Sequence, residues 1–428
     1  MRPSARAVAL QVIHRVTDEG GYSTLVVPSA LARSGLDGRD RAFATELAFG
    51  TLRSMLSLDW AIERRANRPV ARMSPGARAV LRMGAYQLLV ARVPPHAAVG
   101  ETVGLASPRE RGFANAVLRK LASDPPTWPA GDREADVAVR TGLQPWAVRE
   151  LGTLLPSDQV EEAAVSFATR GRLCLRANTP VASADAVRAA IGSAGHQAEP
   201  AGLDPSCMLV DGGDPSSFPG FDDGDFAVQD QASAFVVRAL DTQPGQRVLD
   251  ACAAPGGKTA YVAALVGDTG EVVAADLHPS RVSLIRASAQ RLHVHPMLLA
   301  QDATAPALGS GFDGIMVDAP CSGIGSARRR PELLWRPRRE ELSRLARTQV
   351  SMVSALADLL TPGGRLVYSV CTFPRAETDA ACDAIVRHRP DLEPVQMQGP
   401  DGRSARIRLW PHRHESDGMF IAAFSKRA

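Results

Sequence analysis

The stretch VLDACAAPGGKTAYVAAL (Val248–Leu265) decides the fold. An apolar run ends in Asp250, a turn of small residues follows, and helically spaced apolar residues resume after Gly257. Strand, glycine turn and helix in that order open a doubly wound α/β sheet. Gly256 and Gly257 let the backbone turn sharply and approach a ligand with no Cβ in the way. The spacing is neither G-x-G-x-x-G nor a Walker loop. Further along, EVVAAD ends in Asp276 and HPMLLAQD ends in Asp302. A carboxylate at the first place suits the two hydroxyls of a ribose, and one at the second suits an adenine amino group. Loop and acids together imply a nucleoside cofactor, and the spacing leaves both NAD and S-adenosylmethionine open.

Strand-like and helical runs alternate from 236 to 428, which predicts a mainly parallel sheet covered on both faces. Residues 1–130 carry apolar residues at three- and four-residue spacing throughout, with breaks at Gly20-Gly21, Arg68-Pro69 and Val93-Pro94-Pro95. They predict an all-helical domain of five to seven helices. Residues 131–235 follow the Pro-rich SDPPTWPAGD (Ser123–Asp132) and read as a linker and a small α+β region. The fold class is α/β, with a helical domain in front.

The chain has 428 residues, 45% of them hydrophobic and 22% charged, a globular composition too long for one core. No apolar run is long enough to span a bilayer, and MRPSARAVALQVIHRV lacks the features of a signal peptide. Six cysteines without C-x-x-C spacing argue for a reducing cytosol, not for a disulfide framework or a zinc ribbon. The expectation is a cytoplasmic monomer with no membrane span and no metal. Net charge is +3, and nearly all the cations are Arg; the lysines are Lys120, Lys258 and Lys426. Lys258 lies inside the glycine loop. A basic cluster, Arg328, Arg329, Arg330, Arg336, Arg338 and Arg339, follows a cysteine motif and suits phosphate contact.

Two cysteines close apolar runs, Cys321 in FDGIMVDAPC and Cys371 in GGRLVYSVC. Taken alone, either is a small buried hydrophobe at a strand end. Two thiols at the carboxyl ends of a parallel sheet, beside a methyl donor, fit methylation of carbon 5 of a pyrimidine. That carbon becomes nucleophilic only when a thiolate adds to carbon 6. Methylases of exocyclic amines place an N/D-P-P-aromatic turn where this chain has Asp318-Ala319-Pro320-Cys321. Asp318 is placed to hydrogen-bond a flipped cytosine, and Lys258 to stabilise the same intermediate or lower a thiol pKa. Spacing does not decide which thiol attacks. Cys174, Cys207 and Cys382 read as structural.

DACAAPGGKT (Asp250–Thr259), DAPCSGIG (Asp318–Gly325), YSVCTF (Tyr368–Phe373) and AVQDQASA (Ala227–Ala234) resemble motifs of the Sun/RsmB-type bacterial ribosomal RNA cytosine-C5 methyltransferases. In the first domain, ELAFGTLR, LDWAI, GAYQLL, PPHAAVGETV and FANAVLRK resemble the NusB-like helical RNA-binding domain of that family. The resemblance implies S-adenosylmethionine as cofactor, held by Cys252, Ala253, Ala254, Pro255, Gly256, Gly257 and Lys258 with Asp276, Asp302 and Asp318. It implies attack by Cys371 and product release aided by Cys321, with Asp318 and Lys258 assisting. It also implies that 131–235 takes part in RNA recognition, and that Arg328, Arg329, Arg330 and Trp335 face RNA. The expected substrate is small-subunit rRNA, with tRNA the alternative. The family usually has Thr before the second cysteine, whereas Val370 precedes Cys371 here and Thr372 follows it; residues 126–150 match only loosely. Rival readings are a non-catalytic RNA-binding scaffold and a dehydrogenase, the latter lacking a suitable His or Tyr near the loop.

Overall fold

The computed structural model describes residues 4–427. The chain divides into two compact units. One runs to Arg170 and takes in Ala327–Pro337; the other is Gly171–Ser326 with Arg338 onward.

The first unit is helical: α1 (Ala5–Thr17), α2 (Ser23–Ser34), α3 (Gly38–Arg53), α4 (Met55–Ala66), α5 (Pro75–Leu89), α6 (Pro95–Gly104), α7 (Arg111–Ser123), α8 (Glu134–Thr141), α9 (Pro145–Gly152) and α10 (Ser157–Ala168). Breaks fall at the three predicted places, and further ones at 35–37, at Ser54 inside a continuous helical pattern, and at 105–110. α5 shows how the sequence sets an element: Ser74 caps it by accepting from Ala77 N–H, and Pro75 occupies the first turn. Arg82 makes a two-pronged ion pair with Asp59 of α4, both bonds 2.7 Å. The expected division at 130 does not coincide with the unit boundary, because α8 packs on α4 and α9 and α10 pack with α8. The region 131–235 is therefore shared: its residues up to Arg170, with α8 to α10, join the helical unit, and the rest joins the sheet unit.

The second unit begins with a small antiparallel sheet built from β1 (Leu173–Ala177), β2 (Ala198–Pro200), β3 (Cys207–Val210) and β4 (Phe226–Val228), with α11 (Ala184–Ser193) packed on it. α12 (Gln231–Ala239) leads into β5 (Arg247–Asp250), α13 (Gly257–Val266), β6 (Glu271–Asp276), α14 (Pro279–Arg291), β7 (Met297–Ala300) and β8 (Phe312–Asp318). α15 (Arg339–Leu356), β9 (Leu360–Val370) and α16 (Asp379–His388) follow. β10 (Leu392–Pro394), β11 (Met397–Gly399), β12 (Gly402–Ser404), β13 (Arg406–Leu409), α17 (Pro411–His414) and β14 (Met419–Lys426) complete the unit.

The main sheet has the order β10-β14-β9-β8-β5-β6-β7, with β13 pairing β14. Strands β5 to β9 run parallel, and β14 is antiparallel to β9. One face packs Met352, Val353 and Leu356 of α15 and Ile385 of α16; the other packs Val236 and Val237 of α12 and Tyr261 and Val262 of α13. That is the predicted doubly wound sheet. Its strand order reverses beside β5, so the crevice for a ligand opens at the carboxyl ends of β5 and β8.

Register sets what stands in that crevice. Asp318 on β8 is the Cα partner of Ser369 on β9, and Met316 pairs with Asp250 on β5. The two cysteines therefore emerge side by side just beyond paired strand ends. The loop after β8 passes tightly across the start of the next segment: Gly325 N–H donates to Cys371 O at 3.0 Å, and Gly418 N–H donates to Gly325 O at 2.9 Å. A Cβ at Gly325 would lie 1.9 Å from the Gly418 carbonyl oxygen. Gly325→Ala is expected to cost about 3 kcal/mol or more, since the obstacle is backbone, measured as a fall in Cm of urea unfolding at unchanged m.

Candidate active site

The loop between β5 and α13 is shaped by its glycines. Gly256 has φ +108°, a region L side chains rarely adopt, and a Cβ there would lie 3.1 Å from Ser288 Cβ and 3.2 Å from Ile285 Cα. Gly257 has nothing closer than 3.7 Å to its missing Cβ, so one glycine packs the loop on α14 and the other leaves its surface open.

Around the loop, four acids stand at four strand ends, each held differently. Asp250 is buried; Thr259 donates to its Oδ2 at 2.7 Å, while Oδ1 has no hydrogen-bond partner among the described residues. Burial pushes its carboxyl up to about 7, against the bond from Thr259 and the charge of Lys258. Asp276, also buried, accepts from Ala254 N–H at 3.2 Å and lies 3.5 Å from Arg281, so it braces the loop it faces. Asp302 is exposed and caps its own turn, accepting from Thr304 N–H at 2.8 Å and Thr304 Oγ1 at 2.7 Å, which holds its pKa down. Asp318 accepts from Ser369 Oγ at 2.8 Å and pairs with Lys258 Nζ at 2.7 Å. Burial works against the Lys258 charge, but Asp318 outweighs it and the ammonium pKa is raised. Lys258 also lies 3.4 Å from Ser233 Oγ of the AVQDQASA segment.

Beyond Asp318 the two thiols meet. Cys321 Sγ and Cys371 Sγ are 3.4 Å apart, both partly buried and neither in a disulfide. Cys321 is pushed well above the ordinary thiol range, first by sharing a hydrogen bond with Cys371, then by burial and by the charges of Cys371, Glu377 and Asp318. Cys252 is likewise raised, by burial and three nearby carboxylates. Cys174, Cys207 and Cys382 are buried in the core.

The arginines and tryptophan expected to face RNA lie in a segment that is tied into the fold by several of its side chains. Ala327–Pro337 belongs to the helical unit. Trp335 packs on that unit's core and donates its indole N–H to Leu52 O at 3.0 Å. Arg336 donates to the carbonyls of Val16 and Gly21 at 2.9 and 2.8 Å. Glu332, fully buried, accepts from Ser23 N–H and Oγ at 3.2 and 2.7 Å. Trp335 thus has a packing role in the fold while remaining half-buried. Arg328, Arg329 and Arg330 are half-buried and already have partners; Arg338 and Arg339 are exposed. Ser233, Thr259, Arg281 and Ser369 were missed by sequence reasoning. Only Ser369 left a signal, as a hydroxyl in an otherwise apolar strand.

A model of the 16S rRNA methyltransferase RsmB/F family matches residues 237–425, and a NusB family model matches residues 3–123. The small-subunit ribosomal RNA methyltransferase B of Vibrio cholerae is 31% identical over 432 residues, covering 99% of this chain and 98% of that protein. The chain belongs to the RsmB/F methyltransferase family. Rv1407 of Mycobacterium tuberculosis, named only as a methyltransferase, is 37% identical over 458 residues, covering 99% of this chain and 96% of its own. Among solved structures, PH0851 shares the fold over 100% of both chains, with TM-score 0.86 at 22% identity. A methyltransferase homologue from Pyrococcus horikoshii covers 68% of this chain and 98% of its own, with TM-score 0.59 at 26% identity.

The cofactor of this RsmB/F methyltransferase is S-adenosylmethionine, which closes the choice the spacing left open against NAD. The residues fit it. An open glycine surface, an unpartnered buried acceptor on Asp250 and a ring of carboxylates suit a ligand carrying hydroxyls, amines and net positive charge.

Asp250 gives a pH test. Its folded pKa lies above the unfolded value of 3.8, so the native chain holds an extra proton between about pH 4 and about pH 7. Its contribution is full below that window and is lost as pH rises through about 7. Asp250→Asn is expected to gain stability relative to wild type from pH 5 to pH 8, by roughly 2 to 3 kcal/mol, read as diverging melting temperatures of the cofactor-free proteins.

Proposed function

We propose that this enzyme methylates carbon 5 of a cytosine in RNA, and that its substrate is small-subunit rRNA. The observation that carries the reading is the thiol pair at 3.4 Å beside the Lys258–Asp318 ion pair. A lone-pair nucleophile such as an exocyclic amine needs no thiol; a ring carbon does. The substrate assignment rests on the names of the relatives, which are methyltransferases of small-subunit rRNA. With six free cysteines and an RNA substrate, we place the enzyme in the cytoplasm as a monomer.

In this reading Cys371 is the nucleophile. The surroundings of the thiols differ: Cys321 faces the carboxylates of Glu377 and Asp318, whereas the Lys258 ammonium is within electrostatic reach of Cys371. Cys321 therefore keeps its proton and donates to the Cys371 thiolate, which has released its own to solvent. The Cys371 sulfur pair forms the bond to carbon 6, and the 5,6 double-bond pair becomes available at carbon 5. Asp318, held in place by Ser369 and Lys258, hydrogen-bonds the ring as charge builds on it. S-adenosylmethionine, when bound, supplies the methyl that carbon 5 receives. Water then takes the proton from carbon 5, the C–H pair restores the double bond, and the bond from carbon 6 to sulfur breaks. The departing Cys371 thiolate again accepts from the Cys321 S–H.

Two variants test this order. Cys321→Ala is expected to accumulate an SDS-stable protein–RNA adduct in the presence of S-adenosylmethionine, and Cys371→Ala to form none. An adduct in the Cys371→Ala protein would overturn the assignment of roles.

A further inference from the structure

Thiols on two separate loops meet only if both loops are fixed, and a buried polar network next to them does this. Glu377, fully buried, lies in the turn before α16, far in sequence from Cys321. Its Oε1 accepts from Ser322 N–H at 2.9 Å and from Gln349 Nε2 at 3.0 Å, and its Oε2 accepts from Ser322 Oγ at 2.6 Å. The other Nε2 proton of Gln349 goes to Pro320 O at 2.9 Å. Both peptide neighbours of Cys321 are thereby tied to one carboxylate and one amide. The Cys371 side joins through Thr372, whose Oγ1 is 2.7 Å from Ser322 Oγ. Tyr368 OH closes the set, reaching Gln349 Oε1 at 2.9 Å and Glu377 O at 2.7 Å.

The single proton of Tyr368 OH is shared between two acceptors, Gln349 Oε1 and Glu377 O; every other bond has one donor and one acceptor. Thr372 donates to Ser322, Ser322 donates to Glu377, and Gln349 donates twice while accepting from Tyr368. Glu377 receives three donors, as an ionised carboxylate does. A network so fully satisfied in a dry interior is rigid. It also surrounds the loop that sequence reasoning assigned to product release, while touching none of the Asp276, Lys258 or Asp318 contacts around the cofactor loop.

We propose that Glu377, acting with Gln349, is the positioning residue for product release: it fixes the protonated Cys321 thiol against the Cys371 sulfur. The proposal rests on the reading that Cys371 attacks and Cys321 aids departure. The elimination step is unchanged: carbon 5 gives its proton to water, the double bond re-forms, and Cys371 leaves as a thiolate accepting from Cys321. Without Glu377 the Cys321 loop shifts, and a displacement of an ångström suffices to lose the contact. The negative charge of Glu377 also favours the neutral form of Cys321, which supports the same role.

The test compares Glu377→Gln with wild type, using full-length protein, S-adenosylmethionine and an in vitro transcript of small-subunit rRNA. Cofactor affinity by calorimetry is expected to stay close to wild type. Release, read as decay of the SDS-stable adduct in single turnover, should slow by about tenfold or more, while methyl transfer slows far less. The adduct should vanish when Cys371→Ala is added. An RNA-free arm measures iodoacetamide labelling of Cys321 and Cys371 by mass spectrometry against pH. Glu377→Gln should bring the Cys321 profile to lower pH and leave the Cys371 profile nearly in place. If Glu377→Gln does not fold, Tyr368→Phe, which loses only the hydroxyl bonded to Gln349 Oε1 and Glu377 O, should show the same two changes more weakly. A folded variant with wild-type release and wild-type labelling overturns the positioning role. Absence of any adduct in Cys321→Ala would sink the covalent reading instead, and the labelling arm would still decide the role of Glu377 at the thiol.

Discussion

The pairing of β8 with β9 is the constraint on which the site depends. Asp318 and Ser369 are Cα partners, so the hydroxyl reaches the carboxylate, and the thiols follow three residues after Asp318 and two after Ser369. A slip of one residue would send Asp318 to the opposite face of the sheet and part it from Lys258. Everything chemical in the molecule lies within a few residues of a parallel strand end, the place such a sheet leaves free for ligands.

Much of this was legible in the sequence. The helical unit followed from three- and four-residue periodicity broken at Gly and Pro, and the sheet from alternating apolar strands and helices. The carboxylates and both cysteines could be placed because each lies at or just past a strand end, and Lys258 because it opens the helix after the glycine loop; these places converge in this architecture. Periodicity gave no warning of the break at Ser54, where a polar residue on the helix surface fits either continuation or interruption. Nor did it show that α8 to α10 belong with the helices before them, since tertiary packing, not composition, decides that.

The two kinds of miss at the site have different causes. Trp335 is expected to face RNA with Arg328, Arg329 and Arg330, and Arg336 belongs to the same basic cluster; in the fold Trp335 and Arg336 hold Ala327–Pro337 to carbonyls of the helical unit. A cationic cluster carries no sign in sequence of which guanidinium is already taken by backbone. Glu377 failed to draw notice for the opposite reason. Within PRAETD it resembles an ordinary acid in a helix-opening turn, and only its burial and its three donors reveal it.

The central claim is that two juxtaposed thiols make this enzyme a cytosine-C5 methyltransferase acting on small-subunit rRNA. Bisulfite sequencing of total RNA from cells with and without the gene tests it most directly. The account predicts that one cytosine in small-subunit rRNA loses its protection when the gene is removed and regains it on complementation with wild type but not with Cys371→Ala. An unchanged protection pattern across small-subunit rRNA would contradict it.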